Sequence, residues 1–449
     1  MLHFRLSMPR LRSSKTPNSA TGSKPLPPPD FPLATMPLRM LLRSLFIATI
    51  SSKRYLLIPA LHLLAFFAKP GRSFLFNVDR NPVLHALLKK TLYNQFCAGE
   101  SVQETKACVR QLKELGFQGV ILTYAKEMVF DHKARAELQE SVDLERAKYG
   151  KVAPECSASI EEWRLGTLKT VDLIDEGDML AIKMSGAGPS VTSAFANNAP
   201  PPPQLLSALS EIATKCADRR IRLIVDAESQ HIQPGIAHTT LSLMRQFNHG
   251  ADAVIYNTYQ AYLKSTPAVL AHHIDAAEKE GFTLGLKLVR GAYMHSDDRA
   301  LIHARKQDTD DAYNALAQGA LCRRIGEFGA PDADARRFPA VNLLLASHNK
   351  DSVLAAHRLH AQRVEAGLPT VPVCYAQLHG MADAVSFSLL REEGAEGEKP
   401  GVFKCSTWGS VGECVGYLLR RAVENRDAVL RTGEEVRAVR REVGRRLGF

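Results

Sequence analysis

Acidic residues are nearly absent from the first part of this 449-residue chain. Residues 1–75 hold eleven Lys or Arg and one acid, Asp30, so this segment has a net charge of +10. The whole chain also carries +10, and the remaining residues are therefore neutral in sum. A basic surface on the folded body, of the kind that binds nucleic acid, is not expected.

Long uncharged apolar runs are also missing. Residues 38–68 are rich in Leu and Phe, but Arg43, Lys53, Arg54 and Pro59 interrupt them. No stretch of about 20 apolar residues remains for a transmembrane helix, although an interfacial amphipathic segment stays open. The basic, proline-interrupted residues 1–37 have the composition of a mitochondrial transit peptide or a disordered leader.

Paired cysteines are the third absence. The chain has no CxxC pair and no cysteine at a metal-like spacing from His. Its eight cysteines are Cys97, Cys108, Cys156, Cys216, Cys322, Cys374, Cys405 and Cys414. Scattered thiols of this kind indicate a reducing, non-secreted compartment and predict no metal site.

Short apolar runs alternate with longer amphipathic segments from residue 119 onward. Eight runs predict eight strands, each followed by a helix: 119–125, 179–185, 221–228, 251–260, 282–293, 341–349, 370–380 and 401–409. This order predicts an α/β fold, a distorted (β/α)8 TIM-like barrel, over residues 118–432. A doubly wound open sheet is the alternative, but no GxGxxG follows a strand to support a Rossmann dinucleotide site.

Three further segments complete the predicted organisation. Residues 38–117 predict an N-terminal helical region before the barrel. Residues 186–204 read as a Pro- and Ala-rich insertion loop after the second strand. Residues 433–449 predict a charged tail, either a solvated helix or a frayed end.

Polar side chains end six of the predicted strands, where a barrel gathers its chemistry. They are Lys183, Asp226, Glu228, Asn257, Tyr259, Gln260, Lys287, Arg290, Tyr293, His348, Asn349, Gln377 and His379, with the eighth strand leading into an arginine-bearing helix. Each has a structural explanation when taken alone, such as a helix cap for Asp226. Because buried charges are costly unless paired, their convergence favours a functional site.

The stretch YLLRRAVEN, residues 417–425, belongs to that last helix. Helical spacing places Tyr417, Arg420, Arg421 and Glu424 on one face. Two adjacent guanidiniums beside an aromatic ring suit an anion, whereas a solvated face with a salt bridge is the structural alternative.

Two chemistries fit the polar strand ends. Lys183 or Lys287 could be the Schiff-base lysine of a barrel lyase. Alternatively, Lys183 and the two arginines clamp a carboxylate, while Lys287, Asn257 and Gln260 line a planar ring system. Periodicity alone does not choose between them.

Six motifs together resemble the proline dehydrogenase (proline oxidase) family in order and spacing, from about residue 74 to 432. They are DAESQHIQPGI (226–236), YNTYQAYLK (256–264), GLKLVRGAY (285–293), ASHN (346–349), QLHGM (377–381) and YLLRRAVEN (417–425). With its basic leader and helical region, the chain looks most like the mitochondrial fungal enzymes.

The resemblance implies FAD-dependent oxidation of L-proline to Δ1-pyrroline-5-carboxylate, with hydride transfer to flavin N5. It also implies a matrix-side location at the inner mitochondrial membrane and ubiquinone as electron acceptor. The fold implied by the resemblance is a distorted (β/α)8 barrel, which agrees with the strand count above.

The resemblance also implies roles for individual residues. Catalysis is expected of Lys287, Asp226 and Tyr293. Proline binding is expected of Lys183, Arg420, Arg421, Glu424, Tyr417 and Cys405. Contacts with FAD are expected of Asn257, Gln260, Lys287, Arg290, Gly291, Ala292, His348 and Asn349.

Cys405 departs from the family pattern. Many relatives carry a tyrosine twelve residues before the tyrosine of the YLLRR-type helix, whereas relatives that oxidise hydroxyproline have a small residue there. A cysteine leaves room for a ring hydroxyl, unless Trp408 or another side chain refills the space. Proline is the expected substrate, with 4-hydroxyproline as the alternative; a membrane-associated barrel without cofactor is the non-enzymatic hypothesis.

Overall fold

Parallel strands that close on themselves form the centre of the molecule. The computed structural model describes residues 31–68, 73–125, 157–294, 296–330, 336–394, 397–427 and 429–448; within 424–432 it describes the backbone only. A short strand, β1 (Cys97–Gly99), is followed by β2 (Gly119–Tyr124), β3 (Met179–Ile182), β4 (Arg222–Val225), β5 (Ile255–Gln260), β6 (Leu284–Val289), β7 (Val341–Ala346), β8 (Val373–Leu378) and β9 (Gly401–Trp408).

The strand pairing confirms the barrel and rules out the open sheet. Strands β2 to β9 pair in parallel in chain order, and β9 pairs with both β8 and β2, which closes the ring. Strand β1 adds to the outside of this order beside β9. All eight predicted strands are present, and each observed strand is the same as or shorter than the predicted run.

Helices precede the barrel and surround it. The N-terminal region contains α1 (Leu38–Ser51), α2 (Arg54–Ala68), α3 (Pro82–Leu88), α4 (Asn94–Phe96) and α5 (Val102–Glu114), with 3-10 turns at Pro32–Thr35 and Phe74–Phe76. The remaining helices are α6 (Ala158–Val171), α7 (Pro189–Ala196), α8 (Pro203–Asp218), α9 (Gln233–Phe247), α10 (Thr266–Glu280), α11 (Lys306–Leu321), α12 (Lys350–Glu365), α13 (Asp383–Leu389), α14 (Val411–Asp427) and α15 (Val429–Leu447).

Local signals explain several helix ends. The side chains of Ser101 and Asn349 accept hydrogen bonds from backbone N–H groups in the first turns of α5 and α12. Helix α10 ends at Gly281, whose φ of 75° lies in the left-handed region that glycine adopts without strain. Among the helices of the described residues, none is both long and apolar enough to span a membrane.

The inward and outward faces of the strands belong to two different hydrophobic clusters. The inward face carries a small cluster that includes Ile121, Met179, Tyr256, Leu344 and Phe403. The outward face contributes to the large cluster between barrel and helices. Because successive strand residues point to opposite faces, this division decides which polar side chains can enter the barrel.

Two segments differ from their predicted form. The insertion at 186–204 is not entirely a loop, because it contains α7, in which Val191 and Phe195 are buried. The tail at 433–449 is largely helical, but it is not solvated all round, because Val439 and Glu442 are buried.

The fold also begins before residue 38. Leu33 and Met36 are buried, and the guanidinium of Arg446 in α15 donates hydrogen bonds to the carbonyls of Leu33, Ala34 and Met36. The predicted leader therefore overlaps the folded body at its end. Residues 1–30, which carry the transit-peptide composition, lie outside the described residues.

Candidate active site

Two lysines share one carboxylate inside the mouth of the barrel. The Nζ of Lys183 lies 2.7 Å from Oδ2 of Asp226, and the Nζ of Lys287 lies 2.6 Å from Oδ1. Lys183 follows β3, Asp226 follows β4 and Lys287 lies in β6, each at an inward position of its strand. The barrel thus brings together three residues that are far apart in sequence.

The charge balance of this group is positive. Burial opposes ionisation of Asp226, but the ammonium groups of Lys183 and Lys287 outweigh it and hold the pKa of this carboxyl below its usual range. Two cations then face one anion. Each lysine ammonium has three N–H donors, so the two lysines can also donate to a further anion.

Cys405 and Arg421 extend the group. Cys405 lies at an inward position of β9, between Ile121 of β2 and Leu378 of β8 in the strand register. Burial raises the pKa of its thiol. The charged groups that act on this thiol are those of Lys287, Asp226, Lys183 and Arg421.

Arg421 reaches this site from α14. Its side chain is 7% exposed, and its guanidinium lies 5.0 Å from the ring centroid of Tyr417. A cation over an aromatic face fixes the guanidinium without neutralising it. Arg420 is half-buried beside it, whereas the side chain of Glu424 lies outside the described part of the chain.

Trp408 does not refill the space beside Cys405. It lies three positions further along β9, on the outward face, where its indole N–H donates to Oγ1 of Thr170 over 2.9 Å. An odd spacing along a strand puts the two side chains on opposite faces. The alternative that Trp408 fills the gap is therefore wrong.

Asn257 and Gln260 are also separated by an odd number of residues, and their side chains lie on opposite faces of β5. Gln260 is inward and buried, and its Nε2 donates to the carbonyl of Glu228 over 3.2 Å. Asn257 lies on the face of β5 that carries Ile255 and Tyr259, which belong to the outer core. Asn257 therefore lies on the outward face of β5, and its expected contact with a cofactor stays a prediction.

Comparison with known proteins identifies the fold's family. The family model described as proline dehydrogenase matches residues 105–433, most of the chain. The chain belongs to the proline dehydrogenase family.

Curated relatives match along most of their own length. A hydroxyproline dehydrogenase of Bos taurus is 30% identical over 391 residues, covering 81% of this chain and 82% of the bovine protein. A protein of Schizosaccharomyces pombe named "Probable proline dehydrogenase, mitochondrial" is 28% identical over 452 residues, covering 90% of this chain and 88% of the yeast protein.

Solved structures share the fold. Proline utilization A from Bdellovibrio bacteriovorus superposes with a TM-score of 0.59 at 17% identity. The match covers 85% of this chain and 38% of that longer chain, so this proline dehydrogenase family member spans well under half of it.

Arg290 lies at the rim of the family's barrel rather than beside the lysines. Its guanidinium donates to Oδ1 of Asp310 over 2.7 Å, to Oγ of Ser347 and to Oγ of Ser352 over 2.9 Å. The guanidinium also lies 4.2 Å from the ring centroid of Tyr313. These contacts fix its position and keep it half-exposed at the opening.

The loop after β6 contains three further expected site residues. Gly291 and Ala292 are exposed, and Tyr293 is half-buried. Gly291 has a φ of 140°, and a Cβ at this position would overlap the ring of Tyr262. Tyr262 in turn donates a 2.6 Å hydrogen bond to Asp297, whose other carboxylate oxygen accepts from Gln230 N over 2.9 Å.

His348 and Asn349 have different positions at the end of β7. The Nε2 of His348 accepts a 3.1 Å hydrogen bond from the N–H of Leu378, which requires a ring with a free lone pair at that nitrogen. Asn349 caps α12, so it has a structural task whether or not it binds a ligand.

A cavity of about 330 Å³ opens next to this rim, between α11 and α12. Its lining includes Asp310 and Ser352, which bind Arg290, and also Asn349. The rim residues of β6 and β7 therefore connect the barrel mouth with an open space on the helix layer.

A second buried ion pair was missed by sequence reasoning. The Nζ of Lys404 lies 2.7 Å from Oδ1 of Asp383, and both side chains are nearly inaccessible. The Nδ1 of His379 lies 3.0 Å from the hydroxyl of Ser406 nearby, and burial, with the charges of Lys404 and Arg43, lowers the pKa of His379 to about 3. A lysine inside the apolar run GVFKCSTWG was the signal for this pair.

Proposed function

We propose that this protein oxidises L-proline to Δ1-pyrroline-5-carboxylate with FAD as cofactor. The observation that carries the proposal is the group of Lys183, Asp226 and Lys287 at inward positions of the barrel, together with the charge of Arg421 that acts on Cys405. Membership of the proline dehydrogenase family supports it. So does the fold shared with proline utilization A.

The cations act first as a clamp for the substrate carboxylate. Lys183 follows β3 and Arg421 lies on α14, and the charges of both act on the thiol of Cys405. An ammonium and a guanidinium hold a carboxylate through charge-assisted hydrogen bonds in one orientation. Arg420 supplies a second guanidinium from the same helix.

The same charges set the state of the substrate amine. Hydride can leave the adjacent carbon only when the ring nitrogen has a lone pair to donate. A site with an excess of cations lowers the pKa of a bound ammonium and favours the neutral amine. Because Asp226 already forms ion pairs with both lysines, it stabilises the ammonium form of the substrate less.

The residues present fit FAD by their chemistry. Bound FAD accepts a hydride at N5 and gains negative charge on its ring system. Lys287 supplies the cation suited to that charge, and Gln260 supplies an inward amide. Arg290, His348 and Asn349 lie at the rim next to the cavity of about 330 Å³, where the phosphates and adenosine could be held.

The electron acceptor and location are part of the proposal. We infer ubiquinone as acceptor and a matrix-side position at the inner mitochondrial membrane. The basic, acid-poor residues 1–37 and the relatives named mitochondrial support this location.

4-Hydroxyproline is a second candidate substrate, and Cys405 favours it. Trp408 points away, so the small thiol leaves the site open at this position. Relatives named hydroxyproline dehydrogenase match over 81% of this chain. In Cys405→Tyr, we expect turnover of hydroxyproline to fall by about 100-fold or more and that of proline to change far less, because added bulk in a tight pocket excludes the larger ring.

A Schiff-base lyase is disfavoured by the ion pairs. The amino groups of Lys183 and Lys287 both donate to Asp226, whereas an amine that attacks a carbonyl needs its lone pair. That reaction predicts a colourless protein that borohydride traps with its substrate.

The decisive test is an absorbance spectrum of the purified protein during anaerobic addition of L-proline or trans-4-hydroxy-L-proline. We expect a flavin spectrum that proline bleaches. The amino acid that bleaches the flavin faster is the preferred substrate. A protein that neither contains nor takes up flavin would overturn the proposal.

A further inference from the structure

Large apolar side chains are exposed mainly in one part of the molecule. Among the described residues, twelve of the twenty large apolar side chains that are exposed lie between Leu38 and Leu87. That concentration is unlike the scattered single residues that soluble surfaces normally carry. It marks the N-terminal helices as a surface with a partner.

Helix α2 is the centre of this surface. Its sequence, RYLLIPALHLLAFFA, is apolar on all sides, yet only Leu57, Leu61 and Leu64 are buried. A helix that is apolar all round is normally covered on every side. Leu56 and Leu63, 39% and 56% exposed, share a face because they are seven residues apart.

The 3-10 turn at Phe74–Phe76 continues this surface. Phe76 contacts Phe66 of α2, with ring centroids 5.3 Å apart, which joins the turn to the helix. Phe74 and Leu75 are 64% and 63% exposed. We call the exposed set the apolar N-terminal face; it consists of Tyr55, Leu56, Ile58, Leu63, Phe74 and Leu75.

The charges around the face identify its partner. Residues 31–68 contain Arg39, Arg43, Lys53 and Arg54 and no acidic residue. Arg39 and Arg54 are exposed. Exposed apolar side chains beside exposed cations suit a bilayer surface with anionic headgroups, which takes up the apolar groups and attracts the basic ones.

The length of α2 decides how it meets the bilayer. Its 15 residues span about 22 Å, less than the hydrocarbon core of about 30 Å. We propose that the apolar N-terminal face lies in the interface of an anionic membrane without crossing it, and so attaches the barrel to the lipid surface.

This attachment places the candidate site close to the membrane. Helix α2 packs against α14, which carries Arg421, and the charge of Arg421 acts on the thiol of Cys405. Leu64 and Phe67 of α2 meet Leu418 of α14 in one apolar cluster. A lipid-soluble electron acceptor would then be available beside the site, and this last link alone rests on the proposed function.

The test compares two triple variants of the full chain by sedimentation with vesicles. The face variant carries Leu56→Gln, Leu63→Gln and Leu75→Gln. The control variant carries Leu165→Gln, Leu206→Gln and Leu301→Gln, which change exposed leucines elsewhere on the molecule. The vesicles are phosphatidylcholine alone or with about 20% cardiolipin. Both variants keep the basic leader, so their difference isolates the face.

We expect the parent and the control variant to sediment with the cardiolipin vesicles. The partition coefficient of the face variant onto these vesicles should be lower by about tenfold or more. Equal sedimentation of all three, or of none, overturns the proposal. Conversion of a dimer to a monomer by the face variant with unchanged vesicle binding would show a second copy as the partner. Circular dichroism checks folding, and proline-dependent flavin bleaching, read separately, tests the proposed function.

Discussion

Single side chains set the charge of the candidate site. Asp226 neutralises only one of the two lysines that donate to it, and Arg421 adds a cation held over the ring of Tyr417. The charge at the site is therefore set by particular residues, and it can be tested residue by residue.

Arg421→Ala tests the carboxylate clamp. We expect the KM for proline to rise by about 100-fold or more, because the proposed charge-assisted contact with the substrate carboxylate would be lost, while FAD would remain bound. Steady-state kinetics and the flavin absorbance of the purified variant measure the two effects. Arg440→Ala, on an exposed position of α15, is the control; equal loss of flavin and proline binding in Arg421→Ala would show that its role was misassigned.

Glu435→Gln tests a buried carboxyl outside the site. Burial and the neighbouring Asp383 raise the pKa of Glu435 from 4.5 to about 7. Between these values the native state holds a proton that the unfolded chain lacks, so the free energy of unfolding falls as pH rises through this window. The amide removes this titration and keeps an oxygen for the N–H of Asp383, which lies 3.0 Å from the carboxyl now.

The expected result is a variant more stable than the parent by about 1–3 kcal/mol at pH 8 and equal to it at pH 4. Urea unfolding at both pH values measures the difference. Exposed Glu434→Gln is the matched control. A difference that does not change with pH would contradict the assigned titration.

Loops and helices carry the next level of organisation. The loop after β6 is held by Tyr262 and Asp297 rather than by the lysine group, although it bears Tyr293. Its geometry depends on a glycine that combines a positive φ with close approach of a ring.

Gly291→Ala is expected to disturb this loop. The added Cβ meets the ring of Tyr262 and the backbone is strained at φ 140°, so we expect destabilisation of about 2 kcal/mol or more and a loss of flavin affinity. Gly281→Ala, at φ 75° with no atom near the added Cβ, is the control and should cost about 1 kcal/mol. Thermal unfolding and FAD titration measure both variants; similar effects in the two would show that the clash does not matter.

Contacts between the N-terminal helices and the last helix connect the two ends of the described structure. Helix α15 packs on α1, and Arg446 binds three carbonyls in residues 33–36 while donating to buried Glu442. The barrel, the N-terminal helices and the last helix therefore form one connected structure rather than a barrel with a free tail.

Arg446→Ala tests this closure. Loss of hydrogen bonds to partly buried carbonyls should lower the free energy of unfolding by about 1–3 kcal/mol. Exposed Arg441→Ala, on the same helix, should stay within about 0.5 kcal/mol of the parent. Urea unfolding decides; equal stability of both variants would mean that α15 contributes little.

Much of the fold could be read from local pattern. Apolar runs long enough for strands, separated by amphipathic segments, predicted eight strands and their order, because hydrophobic period is a property of neighbouring residues. The same reasoning places Asn257 and Gln260 on opposite faces of their strand, since three residues along a strand reverse the face.

The sequence by itself determined the strand order, the family and most residues of the positive group. Only the tertiary structure decided that Cys405 points into the barrel while Trp408 points away from it, because strands buried on both faces show no polar side from which the inward face can be recognised. It also decided that Lys404 pairs with Asp383, and that α15 covers residues 33–36. Such contacts join residues distant in the chain, and only closure of the barrel and packing of the two ends bring them together.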